Sequence, residues 1–177
     1  MQKSIGGMGG VTCLLVLPIS ALAVTVRDTF QVSAVIESGC SLQNTTQNDG
    51  VNFGTINFGE HSAINQNVDV SSSSGAGSLS VICTPGTTLS IALDYGINGG
   101  NSNSRFLINE TRSRALAYQL YQDAGYSRIW GTGVEAATID SYPSSTQTYT
   151  VYARLFPISQ PPPSGTYTDT VTVTMSY

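Results

Sequence analysis

The chain has 177 residues with 7 basic and 11 acidic side chains and one histidine, and only 10% of it is charged, against roughly 25% in an average soluble domain. The formal charge of −4 excludes non-specific nucleic-acid binding, which takes clustered Lys and Arg to neutralise phosphates. His61 alone leaves no room for a histidine-based metal cluster, and 23 serines and 20 threonines outnumber the charged side chains by more than two to one.

At the N-terminus, Lys3 precedes an apolar run from Val11 to Ile19, followed by Ala21-Leu22-Ala23. That layout predicts a secretory signal peptide over residues 1–23, cleaved before Val24. The run is shorter than the roughly 18 to 20 apolar residues a membrane span needs, and Pro18 interrupts it. The expected mature chain, 24–177, then holds six arginines, no lysine, and two cysteines, Cys40 and Cys83. In an oxidising compartment these have one possible pairing, so a disulfide is expected. It would contribute about 4 kcal/mol through loop closure.

Period-2 alternation dominates from Val24 onward, as expected of strands with one buried face. Phe30, Val32, Ala34 and Ile36 form the first run. Val51 to Phe53 and Ile56 to Phe58 flank Gly54 and Thr55 in the second. Leu79, Val81 and Cys83 share a face, as do Leu89, Ile91, Leu93 and Tyr95. Leu116, Tyr118 and Leu120 form a fifth run, with Ala117, Gln119 and Tyr121 opposite, and Tyr149, Val151, Ala153 and Leu155 form a sixth. In the last, Tyr167, Asp169, Val171, Val173, Met175 and Tyr177 face one way, and only Asp169 breaks the apolar side. Turn-rich segments separate them: 43–50, 71–77 (a serine run expected as a flexible loop), 96–104 and 157–165. Short strands, no helical stripe and a disulfide predict a single all-β, two-layer sandwich.

Catalytic patterns are weak. His61 beside Glu60 reads as a solvated loop residue, and no G-x-S-x-G elbow is present. Asp94, Asn98, Asn101 and Asn103 lie among glycines but miss the spacing of a calcium loop. No catalytic, cofactor-binding or metal-ligating residue is assigned, and Trp130 and the tyrosines read as sheet or core residues ahead of a sugar-binding face.

The ordered motifs Asn52-Phe53-Gly54, Val81-Ile82-Cys83-Thr84, Arg105, Leu116 to Asp123 (L-x-Y-x-L-Y-x-D), Trp130-Gly131, Tyr149 to Arg154 and Gly165 to Val173 (G-x-Y-x-D-T-V-x-V) resemble the spore coat protein U domain family, which includes Csu-type pilins of archaic chaperone-usher pili. The resemblance runs from about Thr29 to Tyr177. It implies an incomplete immunoglobulin-like β-sandwich completed by a donor strand from a neighbouring subunit. The implied partners are a periplasmic chaperone, an outer-membrane usher and other pilin subunits. The implied role is a structural pilus subunit, exported through the periplasm to the cell surface and serving attachment and biofilm formation; the alternatives are a spore or cell-surface coat protein and a secreted carbohydrate-binding module. The chain stops directly after its last alternating run, and an alternating N-terminal segment, about 24–36, offers Val26, Phe30, Val32 and Ala34 as donor residues, with Asp28 breaking the series. An ordinary first strand shares the same stretch, and the boundary between the two stays open. Without lysine in the mature chain, an isopeptide cross-link is not available to the assembly.

Overall fold

The computed structural model describes residues 26–42, 52–111 and 114–177. The expected leader lies outside these residues, as does the turn-rich segment 43–50. The chain divides into two compact units, Met1–Val35 and Ile36–Tyr177.

The second unit is all-β. Its strands are β1 (Cys40–Leu42), β2 (Val68–Ser71), β3 (Leu79–Cys83), β4 (Leu89–Leu93), β5 (Arg105–Ile108), β6 (Ala115–Tyr121), β7 (Ala137–Ile139), β8 (Gln147–Tyr149), β9 (Tyr152–Leu155) and β10 (Val173–Ser176), with one 3-10 turn at Gly133–Glu135. They form the ladders β1-β3-β8, β10-β4-β7 and β2-β9-β6-β5, and every strand pairing is antiparallel. Leu79 and Val81, Leu89 to Leu93, Leu116 to Leu120, and Ala153 and Leu155 bring side chains from all three ladders into one shared core. The architecture is a β-sandwich.

In β3 and β4 the alternation is that of the sequence: Leu79, Val81 and Cys83, then Leu89, Ile91 and Leu93, are buried, and the residues between them are half-buried. Burying each such aliphatic side chain stabilises the fold by roughly 1.5 to 3 kcal/mol. The sixth run, by contrast, serves two ladders. β8 pairs with β3, β9 pairs with β6 and β2, and the chain changes ladder at Thr150 and Val151. Ser72 holds that crossing: its N–H donates to the Val151 carbonyl at 2.8 Å and its Oγ accepts from the Val151 N–H at 2.7 Å. The serine run is therefore not a detached loop, because Ser72 is buried and satisfies backbone groups that the change of ladder would otherwise orphan.

The second run does not form a named strand either. Asn52 and Asn57 each accept the N–H two residues on, from Gly54 and Gly59, at 2.8 Å, and both glycines have positive φ. These asparagine-capped turns divert the backbone from a ladder, leaving one isolated bridge, Gly54 to Ala76. A Cβ on Gly54 would lie 2.0 Å from the Gly75 carbonyl oxygen, so the close approach requires glycine. The same turns still aim Phe53, Ile56 and Phe58 at the core.

The opposite face of β6 also departs from the alternation. Gln119 and Tyr121, expected outward, are buried with Leu116, Tyr118 and Leu120. Gln119 is drawn in by Arg105 at the head of β5, which is fully buried and donates to Gln119 Oε1 and to the carbonyls of Leu93, Asp94 and Trp130, while the Tyr121 ring meets that of Tyr126 edge-on. Trp130 belongs to the core, donating its indole N–H to the Ile91 carbonyl at 2.9 Å.

Candidate functional site

The last strand has one covered side and one open side. β10 pairs in register with β4, Val173 with Leu93 through Ser176 with Ser90, and among the described residues no strand pairs its other edge. Along 167–175 the alternation is complete, with threonines exposed and Tyr167, Asp169, Val171, Val173 and Met175 facing in. Yet these inward residues are only half-buried, where their counterparts in β4 are fully buried. Alternating apolar residues that reach the core without being covered are core positions with part of their packing missing.

The missing packing is a groove of about 950 Å³. Val171, Val173 and Met175 line one wall, Cys40 and Leu42 of β1 contribute another, and Phe53, Ile56 and Phe58 reach in from the asparagine-capped turns. Leu79, Leu93 and Leu120 lie in its lining from the ladders themselves.

One acid lines this apolar groove. Asp169 Oδ2 accepts from the Tyr118 hydroxyl at 2.8 Å, and Oδ1 accepts from the Ile97 and Thr170 N–H groups and the Asn98 side-chain amide at 2.9 to 3.1 Å. Four donors thus compensate a carboxylate drawn away from water, which would otherwise be costly. Burial, together with the hydrogen bond to Asp169, pushes the Tyr118 phenol well above the ordinary tyrosine range. Asn98 also donates to the Phe106 and Thr168 carbonyls, and Asn101 accepts from the Asn103 and Ser104 N–H groups. Asn98 and Asn101 thus hold the loop and the approach to β10. Among the described residues, no group of three or more His, Cys, Asp or Glu side chains is placed to hold a metal ion.

Cys40 and Cys83 sit directly opposite each other in the β1–β3 ladder and are joined by a disulfide. Thr84, next in the chain, secures the entry to β1: its hydroxyl accepts from the Gly39 N–H at 3.2 Å, and its own N–H donates to the Gly39 carbonyl at 2.9 Å. No residue from 26 to 39 is in a strand; Val26, Phe30 and Val32 are 82 to 88% exposed, and Ala34 is exposed as well. The run expected as a strand over 30–36 is therefore unpaired, and the first strand starts at Cys40. The Tyr118–Asp169 link went unseen in the sequence, although the single acid on an otherwise apolar face was its signal.

A family model described as Spore Coat Protein U domain matches residues 26–174. The chain belongs to this family. Membership agrees with the ordered motifs, and the structure gives those spore coat protein U motifs physical reasons. Asp123, which ends L-x-Y-x-L-Y-x-D, accepts from the N–H groups of Gly125, Ser127 and Arg128 and so closes the turn after β6. The chain is 31% identical over 170 residues to "Protein U" of Myxococcus xanthus, covering 89% of this chain and 88% of that one. Among solved structures it is similar to the CsuC-CsuE chaperone-tip adhesion subunit pre-assembly complex from archaic chaperone-usher Csu pili of Acinetobacter baumannii, at 23% identity and a TM-score of 0.49 over 80% of this chain. It is also similar to a chaperone-tip adhesin complex of CFA/I fimbriae, at 12% identity and a TM-score of 0.34 over 78% of this chain. The chain spans 40% and 42% of those two solved chains.

Proposed function

We propose that this chain is a structural subunit of a chaperone-usher pilus, assembled by donor-strand exchange. The observation that carries the reading is the half-buried inner face of β10 beside an apolar groove. A groove of this kind is filled by strand addition, in which backbone pairs along an open edge and alternate side chains occupy the pockets. The occupant is the 24–36 segment of a second copy, whose Val26, Phe30, Val32 and Ala34 present that alternation and are exposed in this chain. Four or five such side chains at roughly 1.5 to 3 kcal/mol each contribute on the order of 10 kcal/mol before ordering costs.

In this reading residues 1–23 are the leader, the subunit crosses the periplasm bound to a chaperone whose strand covers the groove, an outer-membrane usher exchanges that strand for the next subunit's segment, and the polymer serves attachment and biofilm formation at the cell surface. Its role is structural, without catalysis or cofactor. Co-expression with the candidate chaperone tests it: deletion of residues 24–34 is expected to leave chaperone binding intact and to abolish polymers. Polymers at normal yield after the deletion would overturn it.

A coat protein of the cell or spore surface is the second reading, favoured by the family's description and by the likeness to Protein U. Electron microscopy of cells expressing the chain separates the two, because a pilus subunit yields filaments that vanish with the usher and a coat protein yields a layer that does not.

A further inference from the structure

Two stretches of this chain carry the same pattern, one acid heading four alternating apolar residues. In the approach to β10 and the strand itself, Asp169 precedes Val171, Val173, Met175 and Tyr177; in the N-terminal segment, Asp28 precedes Phe30, Val32, Ala34 and Ile36. The two series are of equal length, so a 28–36 segment inserted beside 169–177 fills it in either direction with Val32 against Val173. Parallel insertion sets Asp28 against Asp169, Phe30 against Val171 and Ala34 against Met175. Antiparallel insertion sets Asp28 against Tyr177 and Ala34 against Val171.

The two arrangements differ in charge. Asp169 lines the groove, and the Tyr118 hydroxyl, the Asn98 amide and the Ile97 and Thr170 N–H groups that compensate it already donate to it. A second carboxylate set directly opposite brings like charges together where one of them already draws on the donors present. Arg27 offers no relief, because adjacent residues of an extended segment face opposite ways. At the other end Tyr177 is 64% exposed, so a carboxylate placed there keeps its water.

Resting on the strand-insertion reading above, we infer that Asp28 and Asp169 are the residues that set the direction of the inserted segment, excluding the parallel register by like-charge repulsion and leaving the antiparallel one. Cysteine pairs that leave both acids in place test this in assembled polymer of the full chain. Ala34→Cys with Val171→Cys reports antiparallel insertion, and Ala34→Cys with Met175→Cys reports parallel insertion; the native Cys40–Cys83 pair is already joined. After mild oxidation, the expected result is an inter-subunit cross-link at least tenfold more abundant in the first pair than in the second, with that excess falling several-fold when Asp28→Asn is added. A dominant Ala34–Met175 cross-link overturns the assigned direction while upholding insertion, and an excess unchanged by Asp28→Asn overturns the role of the two acids. Absence of an inter-subunit cross-link in both pairs overturns strand insertion itself.

Discussion

Arg105 carries a formal charge into the interior and binds it with backbone. Four of its five hydrogen bonds go to carbonyl oxygens of Leu93, Asp94 and Trp130, the fifth goes to Gln119, and its guanidinium lies 5.3 Å from the centre of the Tyr95 ring. Desolvation pulls its pKa below the ordinary arginine value, with the Tyr118, Asp94, Tyr95 and Asp169 groups opposing. Removing the donor strands several buried carbonyls at about 1 to 3 kcal/mol each. Arg105→Met is therefore expected to lose on the order of 3 kcal/mol in urea unfolding, and a loss below 1 kcal/mol would refute this role. An arginine among turn residues gave no sign of burial, because the acceptors it needs are carbonyls, to which any sequence contributes.

At the surface the balance is different. Arg154 and Asp69, paired across β9 and β2, make a two-pronged salt bridge at 2.7 Å, with the guanidinium 4.0 Å from the centre of the Tyr126 ring. The hydrogen bond from Arg154 lowers the Asp69 pKa. A carboxyl whose folded pKa is depressed contributes stability above its unfolded pKa of about 3.9 and loses it as pH falls through the folded value. Asp69 is 37% exposed, so solvent screening holds the effect under about 1 kcal/mol. Asp69→Asn is expected to lower stability at pH 7 by up to about 1 kcal/mol and to cost little once pH falls below the folded Asp69 pKa, so that the stability-pH curve flattens below pH 4, as read by urea midpoints at both pH values.

Among the elements, β1 relies most on a covalent bond. It has three residues and, among the described residues, pairs in register with β3 alone, a short ladder for an edge strand. The Cys40–Cys83 disulfide, at a sequence separation of 43, fixes it there. Replacing both cysteines by alanine is expected to cost about 4 kcal/mol in urea unfolding, and a cost near zero would show that β1 holds without it. Legibility in the sequence follows the same line. β3, β4 and the approach to β10 are runs with one inward face that stand where the alternation puts them, whereas β6 stands where its run does but buries both faces over its second half. β5 and β7 are short, β5 opens on a buried arginine, and neither has a period to read. The 149–155 run was legible as extended chain but not as two strands, because alternation does not record which ladder a strand joins. The open edge of β10 beside a groove was implied by the family resemblance and not by the alternation, since it depends on what fails to cover Val171, Val173 and Met175.

At the scale of the whole molecule, a β-sandwich with one side of β10 uncovered and an exposed segment at 26–36 are the two features from which we propose a subunit whose core another copy completes. In that reading firm association comes from burial and ladder pairing and draws on no lysine chemistry. The claim is tested most directly by mixing two variants that fail for opposite reasons. A chain lacking residues 24–34 keeps its groove and loses the segment that fills another, while Val173→Asp keeps the segment and places an acid in the groove wall. Each alone is expected to stay monomeric on release from chaperone, and the mixture to give one-to-one dimers and nothing larger by light scattering. A mixture that remains monomeric, or a Val173→Asp chain that polymerises alone, would contradict the account.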